Sequence, residues 1–195
     1  VIRRFDLSAR AATPWKNGAG ATRELAVWPE TASLSDFDWR ISIAEIAQDG
    51  PFSTFPGIDR VIMLLDGDGV ELTGPTFSHC LTTPHRPFAF AGESAVSARL
   101  LGGPSRDFNV MARRSRFDVE VDVLATAAQL KPSNGGLLFS VDGSWRANDT
   151  ALEQGQILWW ADGPLQWLLQ PNDPTAKLIA VRLFEGHQPT ITHAR

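Results

Sequence analysis

Five short clusters of polar residues in this chain are of types that can hold or transform a small acid. Trp15-Lys16-Asn17-Gly18 joins an aromatic plate, a cation and an amide at a turn. Arg23 and Glu24 open the apolar segment 25–28, and Arg40 and Ser42 recur at alternate positions of segment 38–46. Arg60 opens an apolar run to Leu65, and Asp107, Asn109, Met111 and Arg113 alternate with Phe108, Val110 and Ala112. An arginine is the natural fork for a carboxylate, because its planar guanidinium offers paired N–H donors and keeps its charge. Several such groups converging in a barrel mouth would make a polar-anion pocket. Alternatively the polar faces simply meet water, or their arginines pair with Asp or Glu on neighbouring strands. Glu24, Glu45 or Asp107 beside an arginine could serve as a general base, so a metal-independent hydrolase or isomerase is the rival chemistry.

Other chemistries lack their residue sets. A catalytic zinc or iron needs three converging protein ligands and an open position. The four histidines, His79, His85, His187 and His193, form no His-x-His pair. A loop with Pro84 separates His79 from His85, and Glu71 falls on a different expected strand. No metal is expected. Cys80 is the only cysteine, so neither an internal disulfide nor a thiolate cluster can form; it is expected to be buried and inert in a reducing compartment. No Gly-x-Ser-x-Gly nucleophile elbow occurs. In K-N-G-A-G-A-T-R, residues 16–23, the lysine precedes the glycines, which is not the order of a phosphate loop, and Gly18-x-Gly20 is too short for a dinucleotide fingerprint. No cofactor is expected.

The elements that must position the polar clusters are strands. In segment 38–46, Trp39, Ile41 and Ile43 fall on one face and Arg40, Ser42 and Ala44 on the other. In segment 117–123, Phe117, Val119, Val121 and Val123 point inward and Asp118, Glu120 and Asp122 toward water. The apolar run 60–65 meets Asp66-Gly67-Asp68-Gly69, and the run 137–141 meets Asp142-Gly143; both are read as hairpin turns. Each is followed by a further strand and an aromatic strand, 87–90 and 157–160, which suggests one β unit used twice at an offset of roughly 70–80 residues. A single helical turn is expected at 124–129, leading into the boundary loop 131–136. The tail 186–195 carries no pattern. Thirteen prolines and sixteen glycines suit many short strands joined by turns, hence an all-β sandwich or barrel.

Composition bounds the partners. The chain has 195 residues, 43% of them hydrophobic, enough to build a core. No apolar run is long enough to cross a bilayer, and residues 1–10 have no signal-peptide core. A net charge of -4, with Arg113, Arg114 and Arg116 beside Asp118, Glu120 and Asp122, speaks against nucleic acid.

P-W-K-N-G-A-G-A-T-R-E-L-A (residues 14–26) resembles the opening motif of the HutD family, also called HutD/Ves. F-D-W-R-I-S-I-A (37–44) with D-G-P-F-S-T-F-P-G-I-D-R (49–60) resembles its second block, and D-F-N-V-M-A-R-R (107–114) its third, in the family's order. Ala19 stands where the family more often has glycine. The resemblance implies two cupin-like antiparallel β-barrels in one chain (a bicupin), no metal-binding histidine set, and association with bacterial histidine utilisation. The expected division is 1–123, an N-terminal barrel with the ligand pocket, and 124–195, a C-terminal half, with strands shared between them. The expected protein is a cytoplasmic accessory or regulatory one, not an enzyme, that binds a small carboxylate such as formylglutamate or urocanate. The expected binding residues are Trp15, Lys16, Asn17, Arg23, Arg40, Arg60, Asp107 and Asn109. No membrane partner is expected, and an exposed sheet edge would serve a homodimer.

Overall fold

In the computed structural model, which describes residues 1–186, period-two alternation produces strands throughout the described residues. The one helical element among the described residues is a 3-10 turn, Leu7–Ala9, capped by Asp6, whose carboxylate accepts from the Ser8 N–H at 2.8 Å. The helical turn expected at 124–129 does not form. Instead Ala128–Gln129 pairs with Leu168–Pro171, because pairing satisfies backbone groups that a lone turn would leave open. The tail from residue 187 on, with His187 and His193, lies outside the described residues. No helix among them is long and apolar enough to cross a membrane.

Among the described residues four antiparallel sheets carry the fold. The six-stranded sheet runs, in hydrogen-bonded order, Thr13–Pro14, Gly20–Trp28, Trp39–Ile46, Ser105–Arg113, Ile58–Gly67 and Phe88–Ala91. Facing it is a four-stranded sheet of Gly50–Pro51, Ser97–Leu100, Val70–Thr73 and Ser78–Leu81. The five-stranded sheet runs Ile2–Asp6, Gln156–Trp160, Gly135–Asp142, Lys177–Glu185 and Phe117–Leu124. Its companion holds Ala128–Gln129, Leu168–Pro171, Trp145–Ala147 and Thr150–Leu152. None of the four closes on itself by strand pairing, so the closed barrels expected from the resemblance are not what the hydrogen bonds build.

The pairing plan occurs twice. Ile58–Gly67 pairs with Phe88–Ala91 and Ser105–Arg113, and Gly135–Asp142 pairs in the same way with Gln156–Trp160 and Lys177–Glu185. Val70–Thr73 pairs with Ser78–Leu81 and Ser97–Leu100, as Trp145–Ala147 does with Thr150–Leu152 and Leu168–Pro171. The offset is about 75 residues. The Asp-Gly turns are not hairpins. The strands on either side of each belong to different sheets, so both turns are corners that carry the chain from one layer to the next. Positive φ at Gly67 (100°) and Gly143 (64°) allows the corner, and a Cβ on Gly67 would stand 2.5 Å from the Pro104 carbonyl oxygen.

The two large sheets pack face to face. Trp39, Ile41, Ile43, Phe108 and Val110 from one meet Leu137, Phe139, Trp159, Ile179 and Val181 from the other. Phe117–Leu124 and the N-terminal Ile2–Asp6 both pair into the five-stranded sheet, so the first strand of the chain completes the second half. Glu120 and Asp122 do not simply face water. They hold the nearly buried Arg182 at 2.5 and 2.7 Å.

Candidate functional site

The face of the six-stranded sheet that turns away from the five-stranded sheet carries the polar residues. In register, Arg40, Met111 and Arg60 form one row across three strands. The next row holds Glu24, Ser42, Asn109 and Ile62, and the one after it Thr22, Ala44, Asp107 and Leu64. Above these rows opens a cavity of about 740 Å³. Its walls come from the hairpin at 13–20, with Trp15, Lys16 and Asn17, and from loop 51–55, with Phe52, Ser53 and Phe55.

Arg60 is 8% exposed. Its Nη2 donates to Asn109 Oδ1 at 3.2 Å, and its Nε has no partner among the described residues. The guanidinium carbon lies 5.1, 5.9 and 4.9 Å from the ring centres of Phe52, Phe55 and Phe90. Burial, and then the charge of Arg40, draws its pKa down to about 10, which still leaves it a cation at neutral pH. Removing a cation from water costs several kcal/mol unless a counter-charge meets it. Among the described residues no carboxylate pairs with Arg60, so the cavity holds an anion-seeking charge. Arg40 differs, because its Nε donates to Glu24 Oε2 at 2.8 Å.

The hairpin is shaped to bring Trp15 over the opening. Trp15 N–H donates to the Gly20 carbonyl, Gly18 takes a φ of +71°, and Asn17 Oδ1 accepts from the Ala19 N–H at 3.1 Å. Trp15 Nε1 donates to Thr22 Oγ1 at 2.7 Å. A Cβ on Gly20 would sit 2.1 Å from the Glu45 carbonyl oxygen and 3.0 Å from the indole, so only glycine lets the ring lie there. Lys16 lines the rim, exposed and without an ion pair among the described residues.

Of the eight residues expected to bind, Trp15, Lys16, Asn17, Arg40, Arg60 and Asn109 line this cavity. Arg23 does not. It lies opposite Ile43, on the face packed against the second half, and its Nη1 donates to the Leu7 carbonyl at 3.2 Å. Asp107 also lies outside the cavity wall. It is fully buried, accepts from Ser105 Oγ at 3.2 and 3.3 Å, and has a pKa pushed up to about 7, chiefly by burial. The sequence reading missed Thr22, Leu34, Phe52, Ser53 and Phe55. Two phenylalanines in the Pro/Gly segment 51–57, with no strand face to bury them, were a usable signal. Of the carboxylates considered as bases, Glu24 lines the cavity but is held by Arg40, and Glu45 is exposed on the opposite face of the sheet.

Among the described residues no three of His, Cys, Asp and Glu gather as a metal site. The His79 ring stacks on Phe88 at 3.9 Å, and His85 keeps a buried, unpartnered Nε2 that burial disfavours protonating. Cys80 is exposed, not buried as expected. It lies on Ser78–Leu81, an edge strand, where only one face is covered.

Comparison with known proteins places the chain. The model of the HutD family matches residues 8–177. Protein Ves of Citrobacter koseri is 44% identical over 161 residues, 82% of this chain and 83% of that protein. Protein Ves of Cronobacter sakazakii is 42% identical over 161 residues, 82% and 87% of the two chains. The structure of HutD from Pseudomonas fluorescens SBW25 superposes with a TM-score of 0.83 at 30% identity, covering 96% of this chain and 100% of that one. At the level of fold alone, the oxalate decarboxylase of Lactobacillus farciminis matches with a TM-score of 0.65 at 9% identity, covering 94% and 86%. The fold is thus all-β and cupin-like, and the chain belongs to the HutD family.

Proposed function

We propose that this protein binds a small carboxylate, without a metal, in the cavity of its first half, and that it serves bacterial histidine utilisation as an accessory or regulatory protein that leaves its ligand intact. The observation that carries the proposal is Arg60, a buried cation with an amide partner, aromatic walls and no counter-ion among the described residues. An incoming carboxylate supplies the missing charge and accepts from the unused N–H groups. The name HutD supports the pathway, and formylglutamate and urocanate are the candidate ligands. The repeated pairing plan supports a bicupin reading, in which each half is one cupin-like unit although neither is a closed barrel by hydrogen bonding. A division near residue 123, with Ile2–Asp6 and Phe117–Leu124 lent to the sheet of the second half, and a cytoplasmic location belong to the same proposal. A hydrolase or isomerase has less support. Glu24 is engaged by Arg40, and Asp107 is fully buried and does not line the cavity.

The test is a thermal-shift series with N-formyl-L-glutamate, urocanate and their neutral amides. A ligand that binds only the folded state raises the midpoint, and the acids are expected to do so while the amides are not. Equal shifts from acids and amides, or no shift from any acid, would overturn the assignment. Conversion of the acid, followed by NMR, would turn the binder into an enzyme.

A further inference from the structure

Glu24 needs an explanation other than folding. Its side chain is 48% exposed, and ion pairs with so exposed a partner contribute little stability, about 0–1 kcal/mol. Yet the backbone is bent to aim it. Glu24 lies opposite Ser42 and Ala26 opposite Ile41, so Leu25 is the extra residue of a β-bulge. The bulge lets Leu25 and Ala26 both enter the core between the halves and leaves Glu24 as the last residue of that strand stretch facing the cavity, diagonal to Arg40.

The contact it makes is one-edged. Arg40 Nε donates to Glu24 Oε2, and this is the only hydrogen bond of the Arg40 side chain among the described residues. Among the described residues the Nη1–Nη2 edge has no protein partner, and the Arg40 side chain is only 13% exposed, inside the cavity that also holds Arg60. A guanidinium fixed at Nε presents its other edge as a paired-donor fork. Resting on the anion-cavity reading above, we propose that Glu24 is a positioning residue: it holds Arg40 by Nε so that the Nη edge forms a second anion fork across Met111 from Arg60. Its carboxylate also offsets the repulsion between the two guanidiniums, which shows in the effect of Arg40 on Arg60.

The experiment compares the parent with Glu24→Ala, Glu24→Gln, Arg40→Ala and the double variant Glu24→Ala/Arg40→Ala. Calorimetry with N-formyl-L-glutamate gives affinities, and the arginine Nε–H resonances are recorded without any ligand. Glu24→Ala is expected to weaken binding about tenfold, the scale of one charge-assisted hydrogen bond. Glu24→Gln is expected to restore it to within about twofold, because an amide oxygen accepts the same bond. The double variant should bind no more weakly than Arg40→Ala alone, since the effect of Glu24 passes through Arg40. The Arg40 Nε–H signal should persist in the parent and in Glu24→Gln and vanish in Glu24→Ala. Unchanged or tighter binding by Glu24→Ala, or losses that add in the double variant, would overturn the positioning role. If the parent binds no acid, the cavity reading fails; an Nε–H signal that is absent from the parent or insensitive to Glu24→Ala then overturns the positioning role on its own.

Discussion

The two halves repeat one strand plan and differ in what fills them. Arg60 faces Phe90 across the pairing of their strands, and Gly136 faces Trp160 at the same place in the second half. A Cβ on Gly136 would lie 2.5 Å from the Trp160 indole, so the missing side chain is what admits the ring. Trp160 packs with Trp145, Trp167, Leu138 and Leu158, and its Nε1 donates to the Ser133 carbonyl at 3.1 Å. The second half closes on its own side chains. In the first half an arginine stands where that glycine is and a phenylalanine where that tryptophan is, and beside them a cavity of about 740 Å³ stays open. One scaffold therefore gives either a filled core or a charged chamber. The choice is made largely in one row of the sheet.

The largest expected effect tests the filled half. Trp160→Ala leaves a void among packed rings and should cost about 3–5 kcal/mol of stability, read by urea unfolding. Ligand affinity should hold wherever the variant stays folded. A loss under 1 kcal/mol would mean that the second interior is not the tight core its burial indicates.

Beneath the open half lies a second contrast. Asp107 is a buried carboxyl whose pKa rises to about 7, whereas the exposed Asp6 and Asp36 and the half-buried Asp173 lie below their ordinary values through hydrogen bonds. Between its unfolded and folded pKa, Asp107 holds more proton in the native state than in the unfolded one. Its contribution is thus fully present below about pH 3.8 and is lost as pH rises through about 7, a swing on the order of 4 kcal/mol. Asp107→Asn should remove that swing. Relative to the parent, the variant gains stability from pH 5 to pH 9, read from denaturant midpoints at each pH. A difference that stays flat with pH would show that Asp107 is ionised in the native protein.

Arg60 sharpens the comparison between the halves. Trp160 serves stability, whereas an unpaired buried guanidinium works against it. Arg60→Leu should leave unfolding free energy within about 1 kcal/mol of the parent, or raise it, while weakening acid binding about tenfold or more. Destabilisation with unchanged affinity would make Arg60 a structural residue and move the site elsewhere.

Much of this arrangement is legible in the sequence, for physical reasons that also mark the limits. Alternation along 38–46 and 107–113 fixes which residues share a face, and the structure keeps both assignments: Arg40 with Ser42, and Asp107 with Asn109 and Met111. The offset of the two Asp-Gly turns shows the repeat. Turn chemistry specifies only positive φ, however, so it cannot tell a hairpin from a corner between layers, and the chain uses corners. Periodicity also fails at a bulge. Arg23 and Glu24 are neighbours and cannot share a face, and with Leu25 and Ala26 both buried the pattern does not say which of the two turns to the cavity. Depth is invisible as well. Asp107 and Asn109 share a face, but one strand step separates a sealed carboxyl from a cavity wall.

The smallest expected effect concerns the rim. Lys16 lies at the opening, exposed, with no ion pair among the described residues, and an ammonium on a flexible stem acts as a point charge rather than a fork. Its attraction for an acid passes through water and salt, where the screening length is about 8 Å at physiological ionic strength. Lys16→Ala should therefore weaken binding only about two- to threefold at low salt, and the difference should vanish near 0.5 M salt. The loss caused by Arg60→Leu should survive the same salt, because a buried charge is screened much less. Arg23→Ala is the control from the opposite face of the sheet and should leave affinity unchanged at any ionic strength. Calorimetry at two salt concentrations separates the three. A Lys16→Ala loss as large as that of Arg60→Leu, and independent of salt, would mean that the hairpin at 13–20 closes over the bound acid and carries Lys16 into the chamber, making the first half nearly as closed as the second once it is filled.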